Sequence, residues 1–133
     1  MRALFWLFGV TSVANGLWML AAPARWYTDL PAGVPDTGPL NLHFVRDVGA
    51  AFLTFGVCFL ATAPRAERHR EVVLAAGLFY VLHAAIHVWD LLAGRLGSDH
   101  WLVDLPGVFV PALILVLMAL PRWWSAPAAA TFR

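Results

Sequence analysis

The chain has no lysine, a single cysteine and little charge of either sign. All nine basic residues are arginine and eight acidic residues oppose them, so the formal net charge across 133 residues is only +1. That balance leaves no broad basic face for nucleic acid. The lone Cys58 cannot form an internal disulfide, and it falls inside an apolar run, so it leaves the redox compartment undecided. Charged residues make up 13% of the chain, about half of the roughly 25% usual in a soluble domain. Also missing are an internal repeat and any composition break that would mark a second domain.

What is present is apolar length. The chain is 61% hydrophobic, with a mean hydropathy of +0.72. Four stretches, about 3–22, 41–62, 71–93 and 105–121, reach the length of a membrane-spanning helix, which is about 17–25 residues. The predicted fold is therefore all-α, an integral membrane four-helix bundle over 1–124. The opening Met1-Arg2 and the Ala22-Pro23-Ala24 step have the look of a signal peptide and its cleavage site, but the segment is read as an uncleaved helix that breaks at Pro23. Residues 25–40, interrupted by Pro31, Pro35 and Pro39, read as an interfacial loop with Trp26 and Tyr27 at headgroup level. A polar turn from Arg65 to Glu71 separates the second and third spans. Pro111 predicts a kink in the fourth span, Trp101, Trp123 and Trp124 are its interfacial anchors, and 125–133 form an Ala-rich tail expected to be mobile.

Arginine placement predicts the orientation. With four crossings, Arg2, Arg65, Arg68, Arg70, Arg122 and Arg133 share one side, against Arg25 and Arg95 on the other. The richer side faces the cytoplasm, so both termini are expected inside. The expected location is the cell membrane, as a multi-pass protein of the bacterial inner membrane. The lipid bilayer is the first partner, with a homodimer or a larger membrane complex as further ones.

Ionisable side chains lie within these apolar spans. His43, Arg46 and Asp47 share one helix face at three- and four-residue spacing, and Ala50, Thr54 and Cys58 continue the stripe with the small side chains of a bundle-facing surface. In the third span His83, His87 and Asp90 follow i, i+4, i+7 spacing within an arc of about 60°, and Tyr80 precedes them on the same stripe. The two spans run in opposite directions, so both sets lie below the same outer interface, with Asn15 of the first span and Asp104 of the fourth at a comparable level. A charge at helix centre costs about 2.5–3.5 kcal/mol on insertion scales. Arg46, Asp47 and Asp90 must therefore pair, change protonation, reach water or bind a cation.

These residues predict a metal site near the outer face, with His43, Asp47, His83, His87 and Asp90 as ligands or their orienting carboxylates. Imidazole and carboxylate ligands suit zinc, copper or iron. Arg46, Tyr80 and Asn15 would line the bound group, Arg46 balancing charge or holding an anionic ligand. The function expected is metal-dependent redox or hydrolytic chemistry on a small or lipid-like substrate, metal-bound water serving as nucleophile, or metal binding and handover without catalysis. The alternatives are a haem with axial histidines from facing helices, a proton relay or transport path, and a buried polar network in a non-catalytic subunit of a membrane complex. His69 and His100 read as a solvated loop histidine and an interfacial one, and Gly9, Gly16, Gly49, Gly56 and Gly77 as points of close helix contact.

The string Asn41-x-His43-Phe44-x-Arg46-Asp47-x-Gly49, followed by His83-x-x-x-His87-x-x-Asp90, is similar to uncharacterised small four-span bacterial membrane proteins. The architecture loosely resembles the DoxX-like group, a resemblance that implies the spans and no activity. The single HxxxH pair also resembles part of the histidine motifs of integral-membrane desaturases, hydroxylases and ceramidase-type zinc hydrolases. That likeness implies metal chemistry at His83 and His87.

Overall fold

A computed structural model describes residues 1–124, which form helices joined by short turns, with no strand among the described residues. Helix α1 runs Arg2–Ala21, α2 Pro23–Asp29, α3 Leu42–Thr62, α4 Arg70–Leu92, α5 His100–Val103 and α6 Val110–Ala119. The expected tail, 125–133, lies outside the described residues. Three helical segments, Arg2–Ala21, Leu42–Arg68 and Arg70–Leu92, are long and apolar enough to cross a membrane. The fourth apolar segment, Leu105–Ala119, is shorter. It rises only about 22 Å at 1.5 Å per residue, against a hydrocarbon core of about 30 Å.

Local chemistry accounts for the breaks. Pro23 ends α1 and occupies the first turn of α2, where a missing amide hydrogen costs nothing and a fixed φ suits helix entry. The segment expected to be a plain loop therefore carries a short helix and then a tight turn over Val34–Thr37. Asn41 caps α3, its side-chain oxygen accepting from the His43 and Phe44 amides at 3.1 Å each. The expected kink in the fourth segment takes the form of a π turn over Leu105–Phe109, with Pro106 in its first turn and Pro111 in the first turn of α6. Inside it Phe109 N donates to Asp104 O and Val110 N to Leu105 O, both five residues back.

Packing is dominated by one close pair. Along α1 the buried residues Phe5, Phe8, Gly9, Ser12, Gly16 and Met19 form a seven-residue repeat, and Val45, Gly49, Gly56 and Phe59 do the same along α3. A Cβ at Gly16 would lie 2.6 Å from Leu53 N and 2.7 Å from Gly49 O, and one at Gly56 would lie 2.7 Å from Val13 N. These are backbone atoms and cannot swing aside, so the two helices touch main chain to main chain. Helix α4 pairs with α6 through Val73, Ala76, Gly77 and Tyr80 against Ala112, Leu115 and Met118. Aromatic rings join the two pairs. Phe8 and Phe52 meet Tyr80 at ring-centroid distances of 6.1 and 5.8 Å, and Phe52 and Phe55 meet Phe79 at 5.4 and 5.3 Å.

This geometry corrects one expectation outright. The His43, Arg46, Asp47, Ala50, Thr54 and Cys58 stripe is exposed. At about 100° per residue the stripe centres on the side of α3 opposite Val45, Gly49, Gly56 and Phe59. The inward face of α3 is the one that lets backbones meet, and the polar stripe is carried outside with its back to the bundle.

Gly16→Ala should lower the thermal stability of the protein by roughly 1–3 kcal/mol, the usual range for overpacking. Gly107→Ala, whose added Cβ meets nothing within 4 Å, should change it little. Equal effects of the two substitutions on the melting midpoint would show that the glycine contact does not hold the pair together.

Candidate functional site

The two helix pairs close tightly at one end, around Phe5, Phe59, Ala63, Val73, Leu115 and Met118. At the other end they diverge and enclose a cavity of about 850 Å³. Its walls are mostly apolar, with Phe8, Met19, Val48, Phe52, Val108 and Ile114 among them. The segment between α2 and α3 contributes Leu30, Val34 and Pro39 to its outer end. His83, His87 and Asp104 line one side.

Helix α4 turns His83 and His87 inward because they continue the buried stripe of Val73, Ala76 and Tyr80. Counted back from Leu92, the two histidines lie about 13 and 8 Å along the helix at 1.5 Å per residue. Their rings are 4.8 Å apart between centroids, and the His83 ring stacks on Phe79 at 6.1 Å. Nδ1 of His87 stands 2.8 Å from Oδ2 of Asp104. An ionised carboxylate only accepts, so His87 donates through Nδ1–H and leaves Nε2 as a lone-pair acceptor. A carboxylate that orients an imidazole in this way makes the opposite nitrogen a competent general base or metal ligand.

Asp104 is 1% exposed, a placement that costs several kcal/mol for an unpaired carboxylate. A second histidine relieves it. His100, read from the sequence as an interfacial residue, is buried, one helical turn before Asp104. Its Nδ1 lies 3.4 Å from Asp104 Oδ2 without a directed hydrogen bond, and its Nε2 donates to Oδ2 of Asp36 at 3.3 Å. Gly33 makes room for this clasp. It adopts a left-handed φ of 58°, and a Cβ there would sit 2.9 Å from Cε1 of His100. Burial works against the His100 imidazolium, but the Asp36 hydrogen bond and the Asp104 charge outweigh it and hold the His100 pKa above the ordinary histidine value.

The residues expected to converge on a metal are not gathered into one centre. His83 and His87 meet at the cavity, and Tyr80 and Asn15 line it. Tyr80 shares a 3.1 Å hydrogen bond with Ser12, and Asn15 accepts from Trp26 Nε1 at 2.8 Å. His43 and Asp47 stand outside, paired with each other at 3.3 Å and largely exposed. Arg46 is exposed too, its Nε 3.4 Å from Leu20 O. Asp90 is drawn off by Arg95 at 2.9 Å, because the left-handed Gly94 folds the chain back beyond α4. Among the described residues no group of three or more His, Cys, Asp or Glu side chains is placed to hold a metal ion.

The residues missed by the sequence reading are Asp104 as hub, His100 and Asp36. The signal available was the His100–Asp104 pair at i, i+4 just ahead of Pro106. It was obscured because the stretch looks like the margin of a span.

A family model described as Domain of unknown function (DUF4345) matches residues 1–116. No curated protein matches the chain, and no solved structure does.

A histidine whose folded pKa is raised contributes stability fully below its unfolded value, about 6.5, and loses it as pH rises through the folded value. The melting midpoint should therefore fall as pH rises above about 6.5, and Asp36→Asn should flatten that fall. Superimposable pH profiles for the two proteins would exclude the Asp36–His100 clasp as its source.

Proposed function

The chain belongs to the DUF4345 family, and from that premise we propose that it is an integral membrane protein that takes a small amphipathic, lipid-like molecule into the cavity between its helix pairs. The observation that carries this reading is the cavity itself. About 850 Å³ of space falls within the 300–1,000 Å³ typical of small-molecule sites, and apolar walls with one polar side suit a ligand of the same two-part character. The ligand's polar end sits against His83 and His87 and its apolar body runs along Phe8, Phe52 and Ile114. Where the ligand carries an acidic proton, Nε2 of His87, backed by Asp104, is the base placed to accept it.

The membrane setting is supported by what the helices leave uncovered. Leu78, Leu82, Ile86 and Trp89 form a continuous exposed apolar face on α4, and Trp6, Val10 and Leu17 do so on α1. Surfaces of this extent are stable against acyl chains and prone to association in water. In this reading Leu105–Ala119 completes a fourth crossing, its shortness met by local thinning of the bilayer. The arginine excess argues for both termini in the cytoplasm, an orientation in which the cavity faces the outer leaflet. The DoxX-like layout is a resemblance of span arrangement and brings no activity with it.

A second reading has its own observation. The His83 and His87 rings lie 4.8 Å apart, with His87 already oriented by a carboxylate, the arrangement that ligand histidines adopt. Here zinc, copper or iron would bind to this pair and complete its coordination with water or ligand atoms. His43, Asp47 and Asp90 take no part.

Lipid extracts of protein purified in mild detergent should contain a small amphiphile at near-stoichiometric amount. Val48→Trp, which fills the cavity, should lose that molecule while keeping its helical circular dichroism. Wild-type protein that neither carries nor takes up such a molecule would overturn the cavity reading. Elemental mass spectrometry and visible absorption test the second reading on the same samples. A stoichiometric metal lost in both His83→Ala and His87→Ala would establish it, a Soret band would point to haem, and metal-free colourless protein would remove both.

A further inference from the structure

We infer that the cavity's ligand is neutral and bears a hydroxyl, an apolar alcohol or phenol whose O–H donates to Nε2 of His87 while its oxygen accepts from the His83 ring. The inference rests on the cavity reading above and adds the chemical class of the ligand's head.

Most polar side chains that line the cavity are already engaged within the protein. Thr11 donates to Leu7 O at 2.8 Å, Tyr27 to Gly38 O at 2.7 Å, and Trp26 to Asn15 at 2.8 Å. Ser12 and Tyr80 hold each other. Among the described residues, the nitrogens of His83 and the Nε2 of His87 have no hydrogen-bond partner, although both rings line the cavity. A polar group left unpaired in an apolar cavity costs free energy comparable to a lost hydrogen bond. A ligand that satisfies these nitrogens therefore gains both affinity and orientation.

The polarity of the free sites narrows the class. His87 offers an acceptor, because Asp104 holds its proton on Nδ1. A neutral His83 offers one donor and one acceptor. A hydroxyl is both donor and acceptor on one atom and can bridge two rings whose centroids are 4.8 Å apart. An ether or ketone would leave His87 Nε2 unpaired.

Charge excludes the other common heads. No arginine lines the cavity among the described residues. Arg46 lies on the exposed face of α3 and Arg95 is held by Asp90. A carboxylate or phosphate would therefore enter without a counterion and stand near the buried Asp104 carboxylate, a repulsive placement in a low-dielectric site. An ammonium head finds that same carboxylate occupied by His87 and His100.

The direct test compares 4-hexylphenol, its methyl ether 4-hexylanisole, and heptanoate, titrated calorimetrically into the full chain in lipid nanodiscs, with empty nanodiscs subtracted. The phenol should bind at least tenfold more tightly than the ether, and heptanoate should bind more weakly than the phenol. His87→Phe, which keeps a ring and removes the acceptor, should erase the phenol's advantage. His87→Gln, which keeps a hydrogen-bonding group, should retain part of it and serves if the first variant does not fold. Equal binding of phenol and ether to wild type, or tighter binding of heptanoate, would overturn the hydroxyl assignment while leaving a ligand-binding cavity in place. Binding of none of the three would count against the cavity reading itself.

Discussion

Helices α1 and α3 approach until main chain meets main chain, and this contact decides most of what else the molecule contains. Glycine at positions 9, 16, 49 and 56 is what permits it, since an added Cβ at Gly16, Gly49 or Gly56 would fall 2.6–2.7 Å from the nearest atom of the facing helix. Such proximity fixes the rotation of each helix about its own axis, because only one face of each is flat enough. On α1 that rotation also turns Phe8 and Ser12 toward Tyr80. On α3 it turns Phe52 inward and His43 and Asp47 outward. The second pair, α4 with α6, cannot come equally close, because ring layers of Phe8, Phe52, Phe55, Phe79 and Tyr80 stand between the pairs. One tight seam and one spaced seam together leave interior volume in a molecule this small.

Within that volume Asp104 organises the polar groups. A buried carboxylate keeps its charge only if partners replace the water it has lost. Here the partners are two imidazoles from different segments, His87 of α4 and His100 of α5. His87 is thereby held in one tautomer with its free nitrogen toward the cavity. His100 extends the chain of contacts to Asp36, whose side chain is largely exposed. A single carboxylate thus sets the chemistry inside the cavity and ties down the segment that lines its outer end. Loosening either imidazole would leave a buried charge less compensated, so the two roles are energetically linked.

The helices were legible in the sequence because length and apolar composition are local properties. Residues 3–22, 41–62 and 71–93 were expected as helices, and α1, α3 and α4 lie within a residue or two of those bounds. The inward direction of His83 and His87 was legible too, since they continue an unbroken apolar stripe on α4. The direction of the α3 stripe was not. Two faces of that helix carry small residues at helical spacing, and the sequence alone does not say whether Gly49 and Gly56 or Ala50 and Thr54 meet the neighbour. The partner's own glycines, seven residues apart on α1, held the answer, but only as a property of the pair. Asp90 was misjudged for a different reason. Its partner, Arg95, lies beyond the helix end and is reached only because Gly94 takes a positive φ. Asp104, His100 and Asp36 come from three separate segments, and no periodicity links residues whose meeting depends on tertiary folding.

The short fourth segment explains why the cavity lies where it does. Pro106 and Pro111 each remove an amide hydrogen from the run between Asp104 and α6, and a regular helix through both would leave carbonyls unpaired in an apolar setting. The π turn over Leu105–Phe109 bonds five residues back, which widens the helix locally, and α6 starts only at Val110. The widened turn brings Val108 to the cavity wall and leaves Asp104 just before it, beneath His87 and His100. The same irregularity that makes this segment short for the thickness of a bilayer also places Val108 on the cavity wall and Asp104 beside His87.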